Sequence, residues 1–108
     1  MIKVMYNPKW CEDATVEHAV RYTSDNFSEL SKMWADIGLE TILHKQEVDP
    51  MIDIIERDED GLIVYAMTIR VGDWFKVDPT DNEWYVVSNK ELTERYIVVE
   101  EEAPNVQA

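Results

Sequence analysis

The 108-residue chain reads as an α+β domain, a curved antiparallel sheet of about five or six strands with one main helix packed on a face and a short second helix near the C-terminus. Three observations predict it. Short runs rich in β-branched and aromatic residues recur along the chain, separated by turn residues. Residues 26–37 repeat apolar side chains at helical spacing over three turns. Residues 68–98 compress two strands, a turn, a capped helix and a closing strand into one stretch.

Residues 1–5 alternate as a short strand, and Asn7-Pro8 ends it, leaving Trp10 and Cys11 in a loop. This leader reads as an added edge strand, and residues 1–15 as an N-terminal extension. Residues 16–23 place Val16, His18, Val20 and Tyr22 on one face and Glu17, Ala19 and Arg21 on the other, the period of a half-buried strand. Ser24 or Asp25 is placed to cap the helix of 26–37, in which Phe27, Leu30, Met33, Trp34 and Ile37 form the core stripe, and Gly38 supplies a left-handed stop. Residues 39–44 are extended, 47–50 turn, and 51–57 resume as a strand. Asp60-Gly61 between β-rich runs signals a hairpin leading into 62–70. Val71-Gly72-Asp73 supplies a turn or bulge, and 74–77 pairs with 84–87 across Asp78-Pro79-Thr80-Asp81-Asn82. Ser88 and Glu91 have the spacing of a capping box, which opens a helix of under two turns before the strand 96–100. The expected organisation is a single domain over 1–102 with a frayed acidic tail over 103–108.

Composition narrows the function classes. Twenty-three acids face ten bases, for a net charge of −13, and residues 51–108 hold fourteen acids against five bases. Such a surface repels phosphate backbones and anionic lipid, so direct binding to nucleic acid or membrane is not expected, whereas a basic protein surface would attract it. Cys11 is the only cysteine, which rules out an intramolecular disulfide and fits a reducing, cytoplasmic compartment. The basic start and apolar run of a signal peptide are not seen, nor is an apolar stretch of membrane-spanning length.

No catalytic triad, phosphate loop or metal-ligand spacing stands out, so neither enzyme activity nor a cofactor is expected. Asp58-Glu59-Asp60-Gly61 has some calcium-loop character, but Leu62, Ile63 and Val64 interrupt the ligand pattern. His18 and His44 lack metal spacing, and Gly72-Asp73-Trp74 is accounted for by turn chemistry. The candidate partner-binding residues are therefore the acids Asp58, Glu59, Asp60, Asp78, Asp81, Glu83, Glu100, Glu101 and Glu102. Carboxylates spaced along strands and turns can imitate the phosphates of a duplex and occupy a basic cleft. Trp74 and Trp84, with Trp10, are candidate exposed apolar anchors.

Ala19-Val20-Arg21-Tyr22-Thr23, Asn26, Gly61, Val71-Gly72-Asp73-Trp74, Glu83-Trp84-Tyr85 and Tyr96 ahead of a closing valine pair follow one another in this order. The sequence thereby resembles a family of small phage and prophage proteins, mostly of unknown function, that carry a GDW or GDY motif. It departs from that pattern at Asn82, where glycine is usual, and at Val86–Asn89, which replaces a Cys-Lys-Pro-Asp run. The resemblance implies a phage-related origin and expression inside a bacterial host, and supplies no catalytic residues.

The reading that joins these strands is a non-enzymatic accessory protein that binds and inhibits a basic host protein, one that handles nucleic acid or serves in defence, through a DNA-mimic-like acidic surface. Two alternatives stand beside it. One is a binder of a nucleotide signal, using bases such as Arg57, Arg70, Lys76 or Arg95. The other is a virion or assembly component whose sheet edge pairs with another chain.

Overall fold

The computed structural model describes residues 1–10, 12–44 and 50–101. Cys11, most of the turn expected at 47–50, Glu102 and the tail 103–108 lie outside the described residues. The elements are β1 (Ile2–Tyr6), β2 (Val16–Arg21), α1 (Phe27–Asp36), β3 (Glu40–His44), β4 (Met51–Arg57), β5 (Ile63–Ile69), β6 (Trp74–Val77), β7 (Trp84–Val87), α2 (Asn89–Arg95) and β8 (Tyr96–Glu101). The class is α+β, as expected, but the strands divide between two sheets instead of forming one. One has five strands in the order β7-β6-β2-β1-β8 and the other three in the order β3-β4-β5. The chain forms two compact units, Met1–Val20 with Trp74–Ala108, and Arg21–Asp73.

The first unit is built from both ends of the chain. β1 pairs antiparallel with β2 on one side and β8 on the other. It is therefore an interior strand, which corrects the expected edge position, and the burial of Val4 follows from having a neighbour on each side. Val4, Ala19, Val87 and Leu92 form its core, with Ile2, Trp74 and Tyr96 packed against them. Ala19 thus lies on the buried face of β2, whereas Val16 is exposed, the reverse of the expected alternation. Apolarity alone misassigned the faces, because β2 is an inner strand whose small Ala19 admits close packing. β6 and β7 pair in the expected register, Trp74 opposite Val87 and Lys76 opposite Tyr85. Asn82 closes the turn at φ 61°, a left-handed conformation that asparagine tolerates better than most residues. The Ser88 hydroxyl accepts the Glu91 amide at 3.1 Å, the predicted N-cap of α2.

The second unit holds α1 and the β3-β4-β5 meander. Leu30 and Trp34 are the buried residues of α1, and each such side chain contributes about 1.5–3 kcal/mol on leaving water. Ile52, Ile54, Ile55 and Ile69 supply the buried residues of the sheet. The residue preceding the helix is Asn26, not the expected Ser24 or Asp25. Its side chain reaches backwards, accepting from the Thr23 amide at 2.9 Å and donating to the Arg21 carbonyl at 2.7 Å, so it fixes the approach to the helix. The stop is as predicted: Gly38 has φ 83°, its amide reaches the Ala35 carbonyl and the Leu39 amide reaches Trp34, a Schellman ending. At the base of the unit the Tyr22 amide donates to the Asp73 carbonyl and the Gly72 amide to the Tyr22 carbonyl. These bonds join the strands that enter and leave the unit, and β6 rather than β5 takes the place beside β2. That is why one sheet became two.

Candidate functional site

The β6–β7 turn shows how local chemistry sets acids in place. Asp78 Oδ1 accepts from the amide and hydroxyl of Thr80 at 2.9 and 2.7 Å, and Asp81 Oδ1 accepts from the Glu83 amide at 2.9 Å. Aspartate is chosen at both positions because its short carboxylate can bond the backbone two residues on. The Thr80 amide, then its hydroxyl, hold the Asp78 carboxyl below the usual range, and the Thr15 hydroxyl adds a contact at 3.3 Å.

Beside this turn, within the first unit, lies a cavity of about 380 Å³ lined by Tyr6, Asp13, Ala14, Thr15, Glu17, Lys76, Asp78, Glu83 and Tyr85. Four carboxylates face one lysine there, leaving three negative charges in excess. Lys76 is the best-buried charged residue described, 4% exposed, and its ammonium donates to both Glu17 carboxylate oxygens at 3.0 Å. It also lies 4.8 Å from the Tyr96 ring and 5.4 Å from the Tyr85 ring, while Tyr6 meets Tyr96 edge-on at 5.0 Å. Burial by itself would lower the Lys76 pKa; hydrogen bonding with Tyr96 and Glu17 outweighs it and holds the ammonium above its ordinary value. Lys76 is thus a fixed internal cation that orients Glu17 and braces the tyrosines. The remaining carboxylates and Tyr85, which is exposed, present an anionic, aromatic-walled recess suited to a guanidinium or ammonium group.

Asp78 and Glu83 are therefore the two predicted site residues that meet in one cavity. Asp58, Glu59 and Asp60 stand exposed at the β4–β5 tip in the second unit, where Asp58 Oδ1 accepts the Asp60 and Leu62 amides at 2.9 Å. Glu100 and Glu101 lie in β8 opposite Lys3 and Ile2. The two tryptophans proposed as exposed anchors are not exposed. Trp84 is 3% exposed and stacks on Phe75 at 5.8 Å, and Trp74 is half-buried with its indole N–H donated to Asn89. Short strands next to turns give no sign in the sequence of which face is covered. Trp10, 59% exposed with Lys9 over its ring, is the one that remains available.

Sequence reasoning missed Tyr6, Asp13 and Tyr85 as site residues, and it weighed Lys76 only as a phosphate ligand. A lysine inside the apolar run Trp74-Phe75-Lys76-Val77 was the available signal, since a buried ammonium demands a carboxylate partner. Of the bases suggested for a nucleotide, Arg57 and Arg70 belong to one unit and Lys76 and Arg95 to the other. Arg57 is engaged with Glu40 and the Gly61 carbonyl, and Lys76 with Glu17.

A second polar constellation lies across the three-stranded sheet. His44 Nε2 is 2.7 Å from Asp53 Oδ2, and the Thr68 hydroxyl donates to Oδ1 at 2.7 Å. The His44 contact, then that of Thr68, keep the Asp53 carboxyl below its ordinary range. With the aspartate in the middle, the hydroxyl is not directed at the imidazole, so the trio ties β3, β4 and β5 together without activating a nucleophile. Among the described residues no group of three or more His, Cys, Asp and Glu is arranged to hold a metal ion, and no helix is long and apolar enough to cross a membrane. Comparison with family models, curated proteins and solved structures finds no match to this chain.

Proposed function

We propose that the chain is a non-enzymatic, phage-type accessory protein that inhibits a basic host protein by receiving one of its arginine or lysine side chains in the cavity of the first unit. The observation that carries this reading is the convergence of Asp13, Glu17, Asp78 and Glu83 with Tyr6 and Tyr85 around one recess. The net charge of −13 draws a basic partner in, and the recess gives the encounter a geometry. A nucleic-acid-handling or defence protein, whose working surface is basic, is the class of partner that fits. The acids of the β4–β5 tip add to the long-range field.

Immobilised protein exposed to bacterial lysate and washed with rising salt tests the proposal. A nucleic-acid-binding or defence protein should be retained and released at moderate salt, and released earlier from an Asp13→Asn, Asp78→Asn, Glu83→Gln variant. The asparagine at 78 preserves the turn, so early release reports lost charge and not lost fold. A retained protein that ignores these substitutions would refute the role of the cavity.

A further inference from the structure

β5 has β4 on one side and, among the described residues, no strand on the other. Edge strands in soluble proteins are commonly protected by lysines, prolines, bulges or short length, and β5 has one irregularity of pairing, at Val64 near one end. From Leu62 to Ile69 this edge carries no charge, proline or glycine, and Leu62, Ile63, Val64, Ala66 and Thr68 are exposed. Residues 61–69 are also the longest stretch of the chain without Asp, Glu, Lys or Arg.

We infer that β5 is a self-association edge, pairing antiparallel with β5 of a second copy to give a two-fold dimer with a continuous six-stranded sheet. Charge selects this occupant. Two copies carrying −13 each repel wherever their acids meet, and the uncharged edge is where they approach at least cost. Asp53, the carboxylate that meets the edge at Thr68, is already engaged by that hydroxyl and by His44 and offers a basic peptide little.

Symmetry then fixes the register. A two-fold axis through an antiparallel pair sets one residue opposite itself, and pairing the whole of β5 puts Ala66 on the axis. Tyr65 then faces Met67 of the second copy, and, because β5 carries an extra residue at Val64, Ile63 and Val64 together lie opposite Thr68 and Ile69. Continuing one step, exposed Arg70 falls opposite Leu62, next to the second copy's acidic tip at Asp58, Glu59 and Asp60. Arg70 thus meets opposite charge twice, once for each half of the dimer.

Light scattering of the full chain should give twice the 12.7 kDa chain mass at high concentration, with a dimer fraction that does not fall as salt rises. That salt response is opposite to the one expected for partner capture, so failure of either idea leaves the other standing. Ala66→Glu and Ala66→Lys should both give monomers, since each sets like charges across the axis, and Ala66 is exposed so the fold should survive, as circular dichroism would report. In a Cys11→Ser background, Ala66→Cys should oxidise to a covalent dimer, because facing residues lie within disulfide reach, and a mixture of Val64→Cys and Thr68→Cys chains should crosslink with each other. A monomer at every concentration, or a dimer indifferent to both charges at Ala66, overturns the inference, and so does crosslinking no faster than Thr80→Cys.

Discussion

The β6–β7 and β4–β5 hairpins are made by the same turn chemistry and have different surroundings. In each, an aspartate at the head of the turn accepts the amide two residues on, Asp78 from Thr80 and Asp58 from Asp60. In each, further acids follow within the turn. Asp78 and Glu83 of β6–β7 look onto a cavity with tyrosine walls and a buried lysine, whereas the β4–β5 acids stand in solvent at the end of an apolar edge. Net charge does not separate the regions: the first unit has eleven acids against five bases, the second twelve against five. An acid in a turn is explained by the turn, and only its neighbours give it a further use.

The largest effects should come from the cores that hold the two hairpins. Trp34→Ala in the second unit and Phe75→Ala in the first each remove a fully buried aromatic and should cost about 3–5 kcal/mol in denaturant titrations. Next comes the buried pair beneath the cavity. Lys76→Met leaves Glu17 without its cation, and Glu17→Gln leaves Lys76 without its anion; each should cost about 3 kcal/mol, and pairing Lys76→Met with Glu17→Leu should recover much of it. The Lys76 ammonium is held above its ordinary pKa in the folded chain, so its contribution is complete below the ordinary value and is lost as pH rises through the raised one. Lys76→Met should therefore flatten the alkaline limb of the stability profile.

The comparison between hairpins sharpens at the level of binding. Neutralising Asp13, Asp78 and Glu83 should weaken capture of a basic partner by about tenfold or more, and neutralising Asp58, Glu59 and Asp60 by less than about threefold, since charges on a rim act mainly through the long-range field. Equal losses, read by salt-dependent binding isotherms, would return the reading to charge alone. Ser88→Ala, which removes the α2 cap beside this unit's core, should cost about 1 kcal/mol in thermal unfolding.

Much of the fold was legible because local rules decide it. The Schellman ending at Gly38, the cap at Ser88 and the register Trp74 to Val87 each depend on residues close in sequence. What failed is what distance in sequence decides. β1 became an interior strand because β8 arrives from the far end of the chain, and the Glu17–Lys76 pair joins positions 59 residues apart. The cavity was half legible for the same reason: Asp78 and Glu83 announce themselves as turn acids, whereas Tyr6 and Asp13 gain meaning only when β1 and the loop after it fold beside β6 and β7. Trp84 next to a turn was read as surface, since nothing local reveals that Phe75 lies behind it.

The smallest effect discriminates between the units by pH. Asp53 in the second and Asp78 in the first are both held below the ordinary aspartate range, Asp53 by His44 and Thr68, Asp78 by Thr80. A carboxyl with a depressed folded pKa stabilises above its unfolded value, and that contribution is lost as pH falls through the folded one. Both therefore steepen acid unfolding. Asp78 is supported within its own turn, so Asp78→Asn keeps an acceptor for the Thr80 amide and should alter the acid limb only slightly. Asp53 ties together three strands of one sheet, and Asp53→Asn replaces the carboxylate that meets His44 and Thr68 by a neutral amide. Its acid limb should flatten more than that of Asp78→Asn when stability is followed between neutral and acid pH. Equal flattening would mean that a carboxylate bridging strands and one serving its own turn are equivalent, and that the two hairpins differ in their surroundings but not in what their sheets need from an acid.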